Sequence, residues 1–154
     1  GEIAALSNIA NPTHGFITNI GKAHIGTFGG AENIIRGKSE LYQHLITTQG
    51  QVFINSQNHI LYNMSKRFAS PVFYPAAGDY YHAERLASHP YVKVKAENGD
   101  EIQTHLIGDY NFENIAAALC IGKYFGVDAA QANAAVAAYV PGNMRSQLIE
   151  KGTN

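Results

Sequence analysis

Three short apolar runs, set among helical patterns, constrain this chain more than any other feature. Residues 15–20 read Gly-Phe-Ile-Thr-Asn-Ile, residues 51–55 read Gln-Val-Phe-Ile-Asn, and residues 71–74 read Pro-Val-Phe-Tyr. Strands this short and this poor in charge are expected where both faces are covered. Between them, residues 31–45 place Ile34, Ile35, Leu41 and Leu45 on or near one helical face, and residues 58–68 turn Ile60, Leu61 and Met64 inward. Ahead of them, residues 2–10 carry Ile3, Leu6 and Ile9 at helical spacing until Pro12 closes the helix. That helix opens without a capping residue and reads as cut from something longer. The order helix, strand, helix, strand, helix, strand predicts an α/β fold with a mostly parallel sheet flanked by helices.

The pattern then changes. Residues 91–95 alternate apolar and charged side chains, Asn98-Gly99 is a hairpin turn signal, and residues 101–107 return with Ile102, Thr104 and Leu106 on one face. This predicts a small antiparallel flap beside the main sheet. Two alanine-rich helices follow, over residues 111–125 and from an Asp128 N-cap to about Tyr139, with Gly126 as the stop between them and Pro141 ending the second. Residues 145–154 read as the start of another strand or a linker.

Composition excludes several classes. The 154 residues carry 45% apolar and 15% charged side chains and a net charge of -1, an ordinary globular balance with no basic excess for nucleic acid. No apolar run approaches the roughly 20 residues needed to span a bilayer. The single cysteine, Cys120, sits among alanines and reads as a small buried hydrophobe, and the scattered histidines form no zinc-ligand spacing. A reducing, cytoplasmic setting and a monomer are expected.

In open α/β sheets, ligands bind beyond the carboxyl ends of the strands. The glycine-rich loop over residues 21–30 lies there and offers Lys22 and His24, with Asn19 just before it. His24 is either a plain hydrogen-bonding residue or a group that meets a metal or phosphate oxygen. Lys38, in the following helix, is either a solvated lysine or one that points back toward the His24 loop. In the second case desolvation favours the neutral amine, which reacts with carbon dioxide to give a carbamate, an oxygen donor for a divalent cation. Asn111 and Asn114, three apart at a helix start, either include a simple cap or present amides to a purine edge. Arg145 is either a surface residue or a contact to phosphate or ribose.

Several stretches, in order and along nearly the whole chain, resemble the Mur ligases, the ATP-dependent enzymes that build the peptidoglycan stem peptide. They are Gly1-Glu-Ile-Ala-Ala-Leu-Ser-Asn-Ile-Ala-Asn-Pro12, Ile17-Thr-Asn-Ile-Gly-Lys-Ala-His24, Phe28-Gly-Gly30, Gly37-Lys-Ser-Glu-Leu-Tyr42, Gly108-Asp-Tyr-Asn-Phe-Glu-Asn-Ile-Ala-Ala-Ala118 and Pro141-Gly-Asn-Met-Arg-Ser-Gln147. Ala23, where most branches of the family have aspartate, and the opening Gly-Glu-Ile are similar to the branch that adds D-alanyl-D-alanine to UDP-N-acetylmuramoyl-tripeptide.

The resemblance implies the following. The fold is the Rossmann-like central domain of the family, related to the P-loop NTPases and incomplete here: residues 1–145 form part of that ATP-binding domain, and residues 146–154 lead toward a missing C-terminal domain. His24 and a carbamylated Lys38 hold magnesium and are the catalytic pair. Asn111 and Asn114 lie near the adenine of ATP, and Arg145 contacts the nucleotide. The reaction forms an acyl phosphate from the tripeptide carboxylate and ATP, which the D-alanyl-D-alanine amine then attacks. The family's phosphate-cradling Gly-x-Gly-Lys-Thr loop is absent from these residues, and Gln57 stands where the family often has aspartate. The isolated chain is therefore expected to be inactive in ligation and to bind ATP weakly or not at all. Two other readings remain open: another amide ligase of the Mur or folylpolyglutamate type, and a non-catalytic α/β interaction module.

Overall fold

The computed structural model describes residues 1–21 and 30–142. The expected glycine-rich loop, with Lys22, Ala23 and His24, and the tail with Arg145 and residues 146–154 lie outside the described residues. The chain divides into two compact units, Gly1–Phe73 and Tyr74–Asn154.

The first unit holds α1 (Glu2–Ala10), β1 (His14–Phe16), α2 (Gly30–Thr48), β2 (Gln51–Asn55) and α3 (His59–Ser65), and the chain leaves it through β3 (Val72–Tyr74). The three strands form one sheet in the order β1-β2-β3. β1 and β2 run parallel, with His14 opposite Gln51 and Phe16 opposite Phe53. Val52, Phe53 and Ile54 are all buried, as expected for a central strand covered on both faces. α3 starts where Asn58 accepts hydrogen bonds from the Ile60 and Leu61 amides, each at 3.1 Å.

The core joins Val52 and Ile54 to Ile17, Ile20, Tyr42, Leu45 and Leu61. Two expectations change here. β1 is shorter than residues 15–20, because its ladder to β2 ends at Phe16, yet Ile17 and Ile20 still pack into the core beyond that end. α1 has the expected extent, but Leu6 and Ile9 are exposed, and the residue it buries is Ser7. α1 packs on α2, and a small side chain lets two helices approach closely.

Two glycine-region features close α2. Gln49 takes the left-handed conformation (φ 59°) that commonly ends a helix, and the Gly50 amide donates to the Leu45 carbonyl at 2.7 Å. Gly50 itself sits where any Cβ would come within 2.8 Å of the Thr13 carbonyl oxygen and 2.6 Å of Leu45.

The second unit holds β4 (Glu84–Leu86), β5 (Tyr91–Lys95), β6 (Glu101–Ile107), α4 (Tyr110–Tyr124) and α5 (Ala129–Ala138). The strands form an antiparallel sheet in the order β4-β5-β6. Gly99 makes the expected turn at φ 93°, and the Ala96 amide reaches the Asp100 carbonyl at 2.8 Å. β4 was not foreseen. The expected flap is instead one layer of a packed unit: α5 lies on β6 and α4 on β5, and Val92, Val94, Ile102 and Thr104 are buried. The Gly126 stop holds (φ 79°), and Asp128 caps α5 by accepting from the Gln131 amide at 3.3 Å.

Candidate functional site

In the first unit the site is built around α2. Helical geometry advances about 100° per residue, so Lys38 lies on the same stripe as Ile34, Tyr42 and Leu45. Tyr42 and Leu45 on that stripe are fully buried whereas Ile34 is exposed, so Lys38 stands where the stripe leaves the core. Lys38 is half-buried, and its Nζ donates to the Asn19 carbonyl oxygen at 2.6 Å. Asn19 lies between the buried Ile17 and Ile20, which anchor that segment. Lys38 therefore points back to the strand-end segment, two residues short of the loop that carries His24.

Two residues further along α2, Glu40 serves a different neighbour. Its carboxylate accepts from the Ala4 amide at 2.7 Å and meets the Gly1 ammonium at 3.0 Å. In the 154-residue chain the free Gly1 ammonium, followed by the Ala4 amide, holds the Glu40 carboxyl below the usual carboxylate range. The start of α1, which has no side-chain cap of its own, is thus capped from α2. Sequence reasoning missed Glu40, although it lies inside the Gly37–Tyr42 motif.

In the second unit, α4 opens at Asp109, whose side chain makes no capping bond. Asn111 is inside the first turn and is not the cap, which removes the simple capping reading. It is buried, and its Nδ2 donates to the Ile107 carbonyl at 2.8 Å. Asn114, on the exposed side of the same turn, donates its Nδ2 to Asn111 Oδ1 at 3.3 Å. The two asparagines are therefore brought together, as the spacing implied.

They line one wall of a cleft of about 580 Å³ formed by α4, α5 and the end of β6. Leu106, Ile115 and Val136 supply apolar surface, and Tyr110 and Tyr139, both largely exposed, supply aromatic surface. A mostly apolar concavity with a few convergent amides is the usual character of a small-molecule site. The two tyrosines were not singled out from the sequence. Their position beside the asparagine turn depends on how α5 ends against α4.

Elsewhere the candidates thin out. Cys120 is fully buried, and burial pushes its thiol up to about 12, which rules it out as a ready nucleophile. Among the described residues no group of three His, Cys, Asp or Glu side chains could hold a metal ion. No described helix is long and apolar enough to cross a membrane.

Comparison with known proteins bears on the whole chain. Residues 1–122 match the family model of the Mur ligase middle domain. A UDP-N-acetylmuramoyl-tripeptide--D-alanyl-D-alanine ligase from Synechocystis is 31% identical over 147 residues, covering 92% of this chain and 30% of that protein. The ligase of the same name from Mycobacterium tuberculosis is 29% identical over 160 residues, covering 99% of this chain and 31% of that protein. Among solved structures, MurF from Acinetobacter baumannii superposes with a TM-score of 0.76 at 26% identity, over 98% of this chain and 34% of that one. A pseudomurein peptide ligase from Methanothermus fervidus shares the fold at 14% identity, with a TM-score of 0.65 over 94% of this chain and 38% of that one. The chain spans about a third of the length of these relatives.

Proposed function

Because the chain belongs to the Mur ligase middle-domain family, we propose that it is the nucleotide-handling part of a cytoplasmic, monomeric ATP-dependent ligase that joins D-alanyl-D-alanine to UDP-N-acetylmuramoyl-tripeptide. The observation that carries this reading is the alignment with D-alanyl-D-alanine-adding ligases along nearly the full chain. The alignment fits the choice of branch made on Ala23 and the opening Gly-Glu-Ile.

The local chemistry supports roles for the two clusters. The cleft of the second unit suits the adenine of ATP: it offers amides at Asn111 and Asn114 and aromatic surface at Tyr110 and Tyr139. Arg145, outside the described residues, is the further nucleotide contact that the family resemblance implies. In the first unit, Lys38 already reaches the Asn19 carbonyl at the strand end. A carbamate on Nζ would set hard oxygen donors beside that segment, as magnesium prefers, with His24 as a further ligand. Magnesium, when bound, neutralises phosphate charge as the acyl phosphate forms. Lys38 and His24 hold their donors in place, and the asparagines orient the base.

No phosphate-cradling loop occurs in these 154 residues, so catalysis needs segments of a longer polypeptide. The test is phosphate release by the full-length enzyme that contains this chain. Release should require ATP, UDP-N-acetylmuramoyl-tripeptide and D-alanyl-D-alanine together, and should be absent with the 154-residue chain alone. Release driven by a single amino acid in place of D-alanyl-D-alanine would overturn the substrate assignment.

A further inference from the structure

The last turn of α5 has a carbonyl that its own helix cannot serve. In a continuing helix the Ala137 carbonyl would accept from the amide of residue 141, but that residue is Pro141, which has no N–H. The Tyr139 amide serves Ala135 and Val136 instead, at 3.1 and 3.4 Å. The Ala137 carbonyl is met by a side chain of β6: His105 Nδ1 lies 3.0 Å from it. A carbonyl only accepts, so Nδ1 carries the hydrogen and donates. α5 has no basic residue in its last turn. His105 does from a neighbouring strand what such a residue does for a helix end.

The strand is shaped to bring His105 there. Tyr91 pairs with Ile107 and Lys93 with Gln103, so Val92 alone on β5 stands against Thr104, His105 and Leu106 on β6. Thr104 is buried and fastens this bulge. Its hydroxyl donates to the Val92 carbonyl at 2.7 Å and accepts from the Leu106 amide at 3.2 Å. Bulges re-aim side chains. Leu106 lines the cleft, while His105 meets α5 and holds its ring near edge-on to Tyr91, with centroids 6.1 Å apart. Beyond Ala138 the chain becomes extended at Tyr139 (ψ 123°), and Tyr139 and Pro141 both line the cleft.

We propose that His105 is a positioning residue for the nucleotide. By capping α5 it sets where helix gives way to extended chain, and so where Tyr139 stands on the cleft wall. His105 is not among the described residues that line the cleft; it acts through Ala137 and Tyr139. Without the cap, the Ala137 carbonyl turns to water and the last turn frays. The proposal rests on the nucleotide reading of this cleft and adds to it a residue outside the cleft.

The experiment is steady-state phosphate release by the full-length ligase that contains this chain, with ATP varied. His105→Phe keeps a ring against Tyr91 and removes the donor. It should raise KM for ATP about fivefold, the effect of one net hydrogen bond, and leave kcat unchanged. His105→Asn places an amide N–H at the same reach from the backbone and should restore the KM. A role in ring packing alone predicts the reverse order, Phe tolerated and Asn impaired, and that order overturns the proposal. Tyr139→Ala should raise the KM by itself, and adding His105→Phe to it should change nothing further. Additive effects overturn the proposal.

The two ways of failing are distinct. If Tyr139→Ala leaves the KM for ATP unmoved, the nucleotide reading of this wall fails, and the proposal with it. If Tyr139→Ala raises it and His105→Phe does not, the positioning role alone fails. The cap has its own spectroscopic mark. Nitrogen NMR of the neutral His105 ring should place the hydrogen on Nδ1, because the bond to Ala137 selects that tautomer. A hydrogen on Nε2, which an unrestrained imidazole favours, overturns the proposal.

Discussion

Gln49 and Gly50 form a pair in which the glycine stands one residue away from where helix-ending geometry would use it. The left-handed position at the end of α2 is filled by Gln49 (φ 59°), while Gly50 is needed for close approach to β1. Gln49→Gly removes a Cβ from a conformation that costs an L-residue about 1–2 kcal/mol. It also adds unfolded-chain freedom worth roughly 0.5–1 kcal/mol. The balance is a gain of about 0.5–1 kcal/mol. Gly50→Ala places a Cβ 2.8 Å from the Thr13 carbonyl oxygen and 2.6 Å from a Leu45 methyl. Leu45 is fully buried in the core, and Thr13 is backbone next to β1, so neither yields freely. Overpacking of this kind costs about 1–3 kcal/mol. Adjacent substitutions between the same two residue classes should therefore have opposite effects. Urea unfolding of the 154-residue chain, followed by circular dichroism and by amide exchange at Val52 and Ile54, measures both. Equal stability of Gly50→Ala and the unsubstituted chain, or a loss in Gln49→Gly, would refute the reasoning.

Two further outcomes follow from the titrating groups. Cys120, with its thiol pushed up to about 12 by burial, should resist a thiol reagent at pH 8 and react fully once urea unfolds the second unit; rapid labelling of the folded chain would contradict the burial. In the 154-residue chain, with its free Gly1 ammonium, the Glu40 carboxyl is held below its ordinary value of 4.5. Its contribution to holding α1 is therefore complete above that value and is lost as pH falls through the lower folded pKa. The Ala4 amide shift should titrate below pH 4.5 in the unsubstituted chain and lose that transition in Glu40→Gln; a midpoint above 4.5 would give the shift the wrong sign.

The parts of the fold legible in the sequence are those where one physical demand dominates. β2 was readable to the residue because its central run Val52-Phe53-Ile54 is apolar and buried throughout, as a strand covered on both faces requires. β5 and β6 were readable because alternation and the Asn98-Gly99 turn agree. β4 was not, because Glu-Arg-Leu carries no alternation and its side chains are mostly exposed. α1 shows the limit of periodicity: Ile3, Leu6 and Ile9 announce a helix, yet the contact with α2 is made on the side of Ser7. At the candidate site, the nearness of Asn111 to Asn114 followed from helical spacing, whereas their shared polarity depends on the Ile107 carbonyl, which spacing does not reveal. Lys38 was closer to legible than it first reads, because its place on the stripe of Tyr42 and Leu45 gives it a direction.

The motif from Gly37 to Tyr42 gains its meaning from that same geometry. Residues 38 and 42 are separated by one turn and share a face, while residue 40 is rotated about 200° from Lys38. Tyr42 accordingly enters the core, where its ring meets Phe68 edge-on at 5.4 Å. One turn earlier, Lys38 extends past the core to the Asn19 carbonyl. Glu40, turned the other way, takes the Ala4 amide of α1. A single rigid turn of α2 thus fixes three segments relative to one another: the core, the strand-end segment and the start of α1. A helix that only packed would need Tyr42 alone. Lys38 and Glu40 add ties to backbone groups on either side, and an ammonium or carbamate at position 38 can be placed accurately only if the helix that carries it cannot roll. Glu40 and Tyr42 supply that restraint from opposite faces, so positions that never approach a ligand still determine where Lys38 presents its nitrogen.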